Sequence, residues 1–284
     1  MLTETREFTT TDIEYLRHGG RGLKLRLFRP AGQGPFKCVV DLHGGAWTKG
    51  DLNESQGRGE AMAKAGLALA ALDFRHAEDG YPASLVDANY AIRWLKANAA
   101  ELKLAGARIG ISGNSSGGHL AMLAAMRPAD PRYAAIPLTS GSAPADARVA
   151  AVCTLWPVIN PLSRYRYAKR ALAGPNPPAW PAGIPERHDT YWKNEAAMAD
   201  GNPMLALEQG EAVETPPALW IQGRPDPVHD YLDVESGQAL HEPERFLAAY
   251  RKAGGRIELV HVPQAERAGP ASFEPMAAFF KRHL

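Results

Sequence analysis

The sequence has few cysteines and no excess of charge of either sign. Its 284 residues include two cysteines, Cys38 and Cys153, and the formal net charge is +1. Both cysteines lie in apolar, strand-like runs, where a free thiol packs as a small hydrophobic group, so we expect a reducing compartment and no disulfide framework. Lysine and arginine are interspersed with aspartate and glutamate, so no surface for nucleic acid is expected.

Long apolar runs are also missing. Residues 1–11 are polar and lack the apolar core of a signal peptide, and no run is long enough to span a membrane. We therefore expect a soluble cytoplasmic protein that binds small molecules and no membrane. An apolar content of 45% over 284 residues suits one large α/β domain, residues 1–284, with a sheet covered on both faces. The oligomeric state stays open, with a homodimer among the alternatives.

A strand, a sharp turn and a helix are predicted around Gly113-Asn114-Ser115-Ser116-Gly117. Ile109 and Ile111 precede this stretch, and apolar residues with helical spacing follow it from Leu120. The five residues fit the pattern G-x-S-x-G, in which small flanking residues allow a strained turn that holds the central serine exposed. The alternative is an ordinary turn rich in glycine and serine, because so short a pattern also occurs by chance. The strand and helix around it favour Ser115 as the nucleophile.

A second glycine-containing loop, His43-Gly44-Gly45-Ala46-Trp47, follows the apolar run at residues 38–42. Gly44 and Gly45 have no Cβ, so the backbone there can approach a developing oxyanion. The N–H of Ser116, at the start of the predicted helix, would complete an oxyanion hole. Taken alone, the loop is typical of a plain glycine turn, but its presence together with Ser115 favours the oxyanion hole.

With these two motifs the chain resembles an α/β-hydrolase of the hormone-sensitive-lipase-like esterase group. Its His-Gly-Gly-x-Trp loop is also similar to that of kynurenine formamidases. The resemblance runs from about Leu23 to the C-terminus and includes Leu72-Asp73-Phe74-Arg75, Tyr81-Pro82-Ala83-Ser84 and Gln222-Gly223-Arg224-Pro225-Asp226. It implies the α/β-hydrolase fold and hydrolysis of small esters or related acyl compounds through an acyl-enzyme on Ser115. We expect neither a cofactor nor a metal.

The order of the predicted elements agrees with that fold. A β-hairpin is predicted at residues 13–18 and 23–28. Further strands are predicted at 36–42, 67–72, 109–111, 149–155, 218–221 and 257–262, and helices at 53–65, 82–102, 243–252 and 273–283. Because strands alternate with helices, we expect parallel βαβ units in a mostly parallel, doubly wound sheet. Functional groups then lie at its carboxyl edge.

One segment, residues 156–217, interrupts this alternation. It contains many prolines and the aromatic residues Tyr165, Tyr167, Trp180, Tyr191 and Trp192. Because the segment leaves the sheet at the carboxyl end of a strand, we predict a cap-like insertion over the pocket that binds an apolar or aromatic substrate group. The alternative is a surface excursion whose aromatic residues form a small core of their own.

The acid of a catalytic triad is predicted at Asp226, which follows the strand and turn at residues 218–223. A carboxylate at this edge of the sheet would orient a histidine and stabilise its cation. Related esterases place that histidine in the loop after the last strand. Here residues 263–270 contain no histidine, so the sequence departs from the family pattern and leaves the general base open.

Several residues are candidates for the base. His229 and His241 flank the polar connection at residues 227–242, which is longer than a strand-to-helix link requires, so either histidine can fold back toward Ser115. Glu266 occupies the usual loop, but a carboxylate with an ordinary pKa of about 4.3 is a weak base, and the neighbouring Arg267 opposes a rise in that pKa. We take His229 as the base and keep His241, Glu266 and the lack of any base as alternatives.

Two further histidines, His261 and His283, also follow Asp226 in the chain. His261 lies within the predicted strand at residues 257–262, before the expected loop, and His283 is the penultimate residue. We expect a packed or edge position for the first and a solvated position for the second.

These observations lead to hypotheses from two classes. The chain is either a serine hydrolase of small carboxylic esters with an atypical triad, or a hydrolase-shaped binding protein whose chemistry has decayed. Hydrolysis of amides or formamides is a third alternative, suggested by Trp47. The glycine loop, the turn around Ser115 and the acid at Asp226 favour the enzyme.

Overall fold

An eight-stranded sheet forms the centre of the protein, and the computed structural model describes residues 6–139 and 144–284. The strands are β1 (Phe8–His18), β2 (Arg21–Pro30), β3 (Phe36–Leu42), β4 (Ala68–Leu72), β5 (Leu104–Asn114), β6 (Ala151–Leu155), β7 (Ala218–Arg224) and β8 (Ile257–Pro263). Their order across the sheet is β1-β2-β4-β3-β5-β6-β7-β8. β2 pairs antiparallel with both β1 and β4, and all later pairs are parallel. The predicted hairpin and mostly parallel sheet are confirmed.

Nine α-helices are described, and five of them cover the two faces of the sheet. These five are α1 (Gln56–Lys64), α2 (Ala83–Ala97), α3 (Ser116–Met126), α8 (Glu242–Lys252) and α9 (Pro270–His283). One hydrophobic core lies against α2, α3 and α8, and a second lies against α1 and α9. β3 shows why there are two: Cys38 and Val40 point into the first core, whereas Val39 points into the second, because successive side chains of a strand face opposite ways.

The boundary between α2 and β5 differs from the prediction. The helix predicted at residues 82–102 ends at Ala97, where Asn98 follows and its side-chain amide donates to the carbonyl of Trp94. The strand predicted at 109–111 begins already at Leu104, which pairs with Phe36 of β3. The apolar residues that suggested a continuing helix instead form turns and the start of the strand.

Residues 156–217, between β6 and β7, form four helices. They are α4 (Pro161–Leu172), α5 (Ile184–Trp192), α6 (Glu195–Asp200) and α7 (Pro203–Glu208). Tyr191 and Trp192 of α5 are buried against Trp47, with ring centroids 5.9 Å and 5.3 Å from it. These aromatic side chains are therefore continuous with the first core and contact the glycine loop that follows β3.

Other expectations concern the cysteines, the membrane and the N-terminus. Cys38 and Cys153 are buried free thiols, and burial raises the pKa of Cys38 to about 12. Within the described ranges, no helix combines the length and apolar character needed to cross a membrane. Residues 1–5 of the polar N-terminal segment lie outside the described residues.

The close approach of α3 to the end of β3 predicts the effect of a single methyl group. A Cβ added at Gly117 would lie 2.1 Å from the carbonyl oxygen of Leu42 and 2.3 Å from that of His43. Gly117→Ala is therefore expected to lower the free energy of unfolding by about 3 kcal/mol, measured by urea denaturation.

The matched control for this substitution is Gly57→Ala on the exposed face of α1. There the nearest atom to the new Cβ is 3.7 Å away, in the side chain of Phe273. Alanine is the better helix former, so Gly57→Ala should raise the free energy of unfolding by up to about 1 kcal/mol. Similar effects of the two substitutions would contradict the tight contact at Gly117.

Candidate active site

Ser115 lies in the sharp turn between β5 and α3, with a backbone conformation that is strained for any residue but glycine. Its φ is 51° and its ψ is −117°. Its N–H donates to the carbonyl of Leu155 over 2.9 Å, and its own carbonyl accepts from the N–H of Val158 over 3.0 Å. Both backbone groups are thus tied to the chain at and after the end of β6, which holds the strained turn in place.

A buried ion pair fixes the end of β5, directly before this turn. The Arg58 guanidinium donates to the Asp41 carboxylate over 2.8 Å and to the side-chain oxygen of Asn114 over 2.9 Å. Ser112 donates to the same carboxylate over 2.6 Å. The end of β5, directly before Ser115, is therefore fixed by a charge-assisted network. The sequence gives no local sign of this network, because its members are far apart in the chain.

His229 is the histidine that contacts Ser115. Its Nε2 lies 2.9 Å from Ser115 Oγ, and its Nδ1 lies 2.8 Å from Oδ2 of Asp226. A carboxylate only accepts hydrogen bonds, so Nδ1 carries the proton and donates it, which leaves Nε2 to accept from the Ser115 hydroxyl. The structure thus brings together the three residues predicted from the sequence.

A tight turn places His229 beside the acid. The N–H of Val228 donates to Oδ1 of Asp226 over 3.1 Å, and the N–H groups of His229 and Asp230 donate to the Asp226 carbonyl over 3.3 Å and 2.8 Å. The histidine follows the acid by three residues, and the turn directs its ring back to the same carboxylate. Both ionisable groups therefore come from one short loop after β7.

The buried Asp226 carboxylate is surrounded by donors. Burial raises its pKa, but the hydrogen bond from His229, the charge of the His229 ring in its protonated form and the charge of Arg267 outweigh burial and lower the pKa below its usual value. Arg267 donates to Oδ2 over 3.2 Å, and the Gln222 amide lies 3.4 Å from the same oxygen. Asp226 is therefore ionised at neutral pH.

His229 is buried as well, and its pKa is lowered. Burial is the main cause. Asp226 raises the pKa in opposition, whereas the positive charges of Arg164 and Arg267 lower it further. The pKa of His229 therefore lies below the ordinary value of 6.5, so the ring is neutral at pH 7 and can accept a proton at Nε2.

Arg267 lies in the loop where the family resemblance implies a histidine. Besides its bond to Asp226, its guanidinium lies 4.9 Å from the centre of the Trp156 ring. Glu266 is exposed and has no side-chain hydrogen bond to the described part of the chain. An arginine stays protonated and cannot act as a base, so this loop contributes a positive charge to the acid.

The other histidines that follow Asp226 in the chain lie away from Ser115. His241 is exposed, and its Nδ1 is 2.8 Å from the carboxylate of Asp230. His261 lies on the edge strand β8, 4.0 Å from Glu244, and His283 ends α9. Among the described residues, none of these three has a hydrogen bond to Ser115.

Two histidines near the nucleophile fix the glycine loop. Nδ1 of His43 donates to the Gly44 carbonyl over 2.9 Å, and the ring stacks on Phe74. His119 accepts from Nε1 of Trp47 over 3.2 Å, and its Nε2 donates to a backbone carbonyl of the segment between β6 and β7. Burial lowers the pKa of each histidine to about 4, so both rings are neutral.

Two of the predicted oxyanion-hole residues, Gly44 and Ser116, adjoin the turn at Ser115. A Cβ added at Gly44 would lie 2.7 Å from the Asn114 side chain, and one at Gly45, where φ is 98°, would lie 2.0 Å from the Lys49 carbonyl oxygen. Only glycine fits this loop so close to the residue before Ser115. Ser116, the third predicted residue, is the first residue of α3.

Known proteins resemble the chain in both sequence and fold. A sequence profile of the BD-FAE family matches residues 25–236. The esterase LipC of Mycobacterium tuberculosis is 30% identical over 79% of this chain and 52% of LipC. LipM of the same organism, a probable carboxylic ester hydrolase, is 32% identical over 52% of this chain and 34% of LipM. The chain thus spans from about a third to about half the length of these relatives.

The fold has close counterparts among solved structures. An esterase of Pyrobaculum calidifontis superposes with a TM-score of 0.70 at 20% identity, over 99% of this chain and 87% of that one. The resemblance to α/β-hydrolase esterases stated from the sequence is confirmed. Since the family profile covers most of its length, the chain belongs to the BD-FAE family and has the α/β-hydrolase fold.

Proposed function

We propose that this protein is a carboxylesterase-like serine hydrolase that acts on small esters, with Ser115 as nucleophile, His229 as general base and Asp226 as the orienting acid. The observation that supports this proposal most is the continuous hydrogen-bonded chain from Ser115 Oγ through both ring nitrogens of His229 to Asp226 Oδ2. The named relatives LipC and LipM are described as an esterase and a probable ester hydrolase, which agrees with it.

The first half of the reaction forms an acyl-enzyme. Ser115 Oγ attacks the ester carbonyl while its proton passes to Nε2 of His229. The resulting imidazolium is stabilised by the ionised Asp226. When the tetrahedral intermediate collapses, the same proton moves to the leaving alcohol, and the acyl group stays on Ser115. Water then attacks the acyl-enzyme through the same proton transfers, and the carboxylic acid product is released.

The negative oxygen of the tetrahedral intermediate requires backbone donors. Gly44, Gly45 and Ser116 are proposed to supply them, because the loop after β3 and the first turn of α3 meet at the turn of Ser115. The N-terminus of α3 adds the favourable field of its peptide dipoles.

The unusual feature of this proposal is the origin of the base. His229 comes from the loop of the acid, and Arg267 occupies the loop that the family pattern gives to the histidine. Arg267 then keeps Asp226 ionised. Glu266 is exposed, and His241 pairs with Asp230, so both lack the contacts that a base needs. The completed hydrogen-bond chain also favours an active enzyme over a binding protein with decayed chemistry.

We further propose that residues 156–217 act as a cap over the site. Tyr191 and Trp192 of this segment pack on Trp47 of the glycine loop. Trp47 itself is buried and donates to His119. This packing explains why a tryptophan stands at position 47. Trp47 therefore gives no reason to prefer amide or formamide substrates over esters.

The first test addresses the nucleophile. A fluorophosphonate probe should label Ser115, and 4-nitrophenyl acetate should be hydrolysed, because the serine is strained, hydrogen-bonded to a neutral imidazole and close to backbone donors. Ser115→Ala should abolish labelling and lower kcat by about 10⁴-fold or more. Mass spectrometry of the labelled peptide gives the modified residue. Labelling of Ser115→Ala at wild-type level would refute the assignment.

The second test addresses the base. His229→Ala should lower kcat for 4-nitrophenyl acetate by about 10⁴-fold or more, since no other described group takes the Ser115 proton. His241→Ala and Glu266→Gln are matched controls from the two loops that held the other candidates, and both should keep wild-type kcat. A wild-type kcat in His229→Ala, or a lowered kcat in either control, would show that another group is the general base.

A further inference from the structure

Arg164 of α4 is a buried cation that has no ion pair with the described part of the chain. Its side chain is 3% exposed, and its Nε and Nη1 atoms have no hydrogen-bond partner among residues 6–139 and 144–284. The helical position explains its burial, because Pro161, Arg164, Tyr165 and Ala168 form the inward face of α4. The guanidinium is therefore held inside the protein by its helix and not by an ion pair.

Other buried arginines of this protein are paired. Arg58 donates to Asp41 and Arg245 donates to Asp233, and each of these two arginines is 6% exposed. Removing a charge from water is expensive unless an opposite charge and hydrogen bonds replace the solvent. Arg164 has no such replacement in the described part of the chain, which points to an anion from outside the protein.

α4 begins close to the nucleophile, because the N–H of Val158, three residues before the helix, donates to the Ser115 carbonyl over 3.0 Å, and Arg164 lies in the first turn of that helix. The positive charge of Arg164 lowers the pKa of His229 and that of His188 in α5. The ring of His188 in turn packs edge-on against Trp47, with centroids 5.0 Å apart. An anion bound to Arg164 would therefore lie beside the space where an ester meets Ser115.

His188 adds a second unpartnered group to this region. Its Nδ1 donates to the Ile184 carbonyl over 2.8 Å, but its buried Nε2 has no partner within the described ranges. Burial is the main cause that lowers its pKa to about 3, with the charge of Arg164 as a further cause. Because Nδ1 donates and the ring is neutral, Nε2 is an acceptor and offers no hydrogen to an anion, so the unpartnered donors at the contact of α4 with α5 are those of Arg164.

Among the described residues, Asp226 has ion pairs with His229 and Arg267 but no ion pair or hydrogen bond with Arg164. Asp226 raises the pKa of Arg164 through its charge, but burial is stronger and lowers that pKa to about 10. The oxygens of Asp226 already accept from Val228, His229 and Arg267. The positive charge of a second arginine, Arg187, lowers the pKa of Arg164 further. The positive charge at this position is thus left for a ligand.

We propose that Arg164 binds a carboxylate of the substrate, so that the preferred esters are anionic. A carboxylate matches the planar guanidinium and neutralises its single charge one to one. The proposal rests on the proposed esterase function, and it makes Arg164 a specificity-determining residue of the same site.

Paired substrates test this preference. 4-Acetoxybenzoate carries the carboxylate on the leaving group and is compared with methyl 4-acetoxybenzoate. Monophenyl adipate carries it on the acyl group and is compared with phenyl hexanoate. In at least one pair, the wild-type kcat/KM of the anionic ester should exceed that of the neutral ester by about tenfold to hundredfold. Arg164→Met should reduce that ratio to about one, and Arg164→Lys should keep part of it.

Arg166→Met is the matched control on the same helix. Arg166 is partly exposed and pairs with Glu195 and Glu235, so its loss changes the net charge equally but leaves the substrate ratio as in the wild type. Ratios of about one in both pairs for the wild-type enzyme would overturn the proposal. A preference that survives in Arg164→Met, or is lost in Arg166→Met, would also overturn it.

Binding without turnover separates this proposal from the esterase function. At constant ionic strength, benzoate should raise the melting temperature of Ser115→Ala, and benzamide should not. The benzoate effect should disappear in the double variant Ser115→Ala, Arg164→Met. If no ester is hydrolysed but benzoate stabilises the protein through Arg164, the esterase proposal fails and the anion site stands. If esters are hydrolysed and benzoate has no effect, the anion site fails alone.

Discussion

The Asp226 carboxylate is buried, and donors from three parts of the chain compensate for its lost hydration. Gln222 reaches it from β7, Val228 and His229 from the turn that follows, and Arg267 from the loop after β8. A buried charge is costly when such donors are missing. The same bonds fix the tautomer of His229 and direct its Nε2 at Ser115. Hydrogen bonds to this one carboxylate thereby connect the end of the sheet and the adjacent loops, and they reach the reactive serine through His229.

Rigid elements supply the rest of the site. Ser115 keeps a strained backbone because hydrogen bonds to the chain at and after the end of β6 hold both its N–H and its carbonyl, and Arg58 fixes the residue before it. Strain of this kind persists only where the surroundings determine it fully. Such preorganisation leaves little to rearrange when a carbonyl arrives, which is the condition for strong stabilisation of a developing charge. Gly117 allows the helix and strand to come close enough for this arrangement.

The sequence predicts those features that depend on local patterns. Ser115 and the glycine loop have short motifs beside a strand and a helix, and the sheet follows from apolar runs separated by turns. The base has no local signal, because a histidine three residues after an acid points toward Ser115 only if the intervening turn is tight. Arg164 has no signal in the sequence for another reason. The prolines of residues 156–217 hid the helix α4, and without its periodicity nothing distinguishes Arg164 from the exposed Arg166.

The protonation state of the His229 ring tests whether a base from the loop of Asp226 takes the Ser115 proton. Nitrogen-15 NMR of the imidazoles, with the His229 signals identified by their loss in His229→Ala, reports which nitrogen carries hydrogen. We expect a proton on Nδ1, a bare Nε2 at pH 7, and a pKa of the ring below 6.5, because burial lowers that pKa. A proton on Nε2 of the neutral ring, or titration at or above pH 6.5, would contradict this expectation.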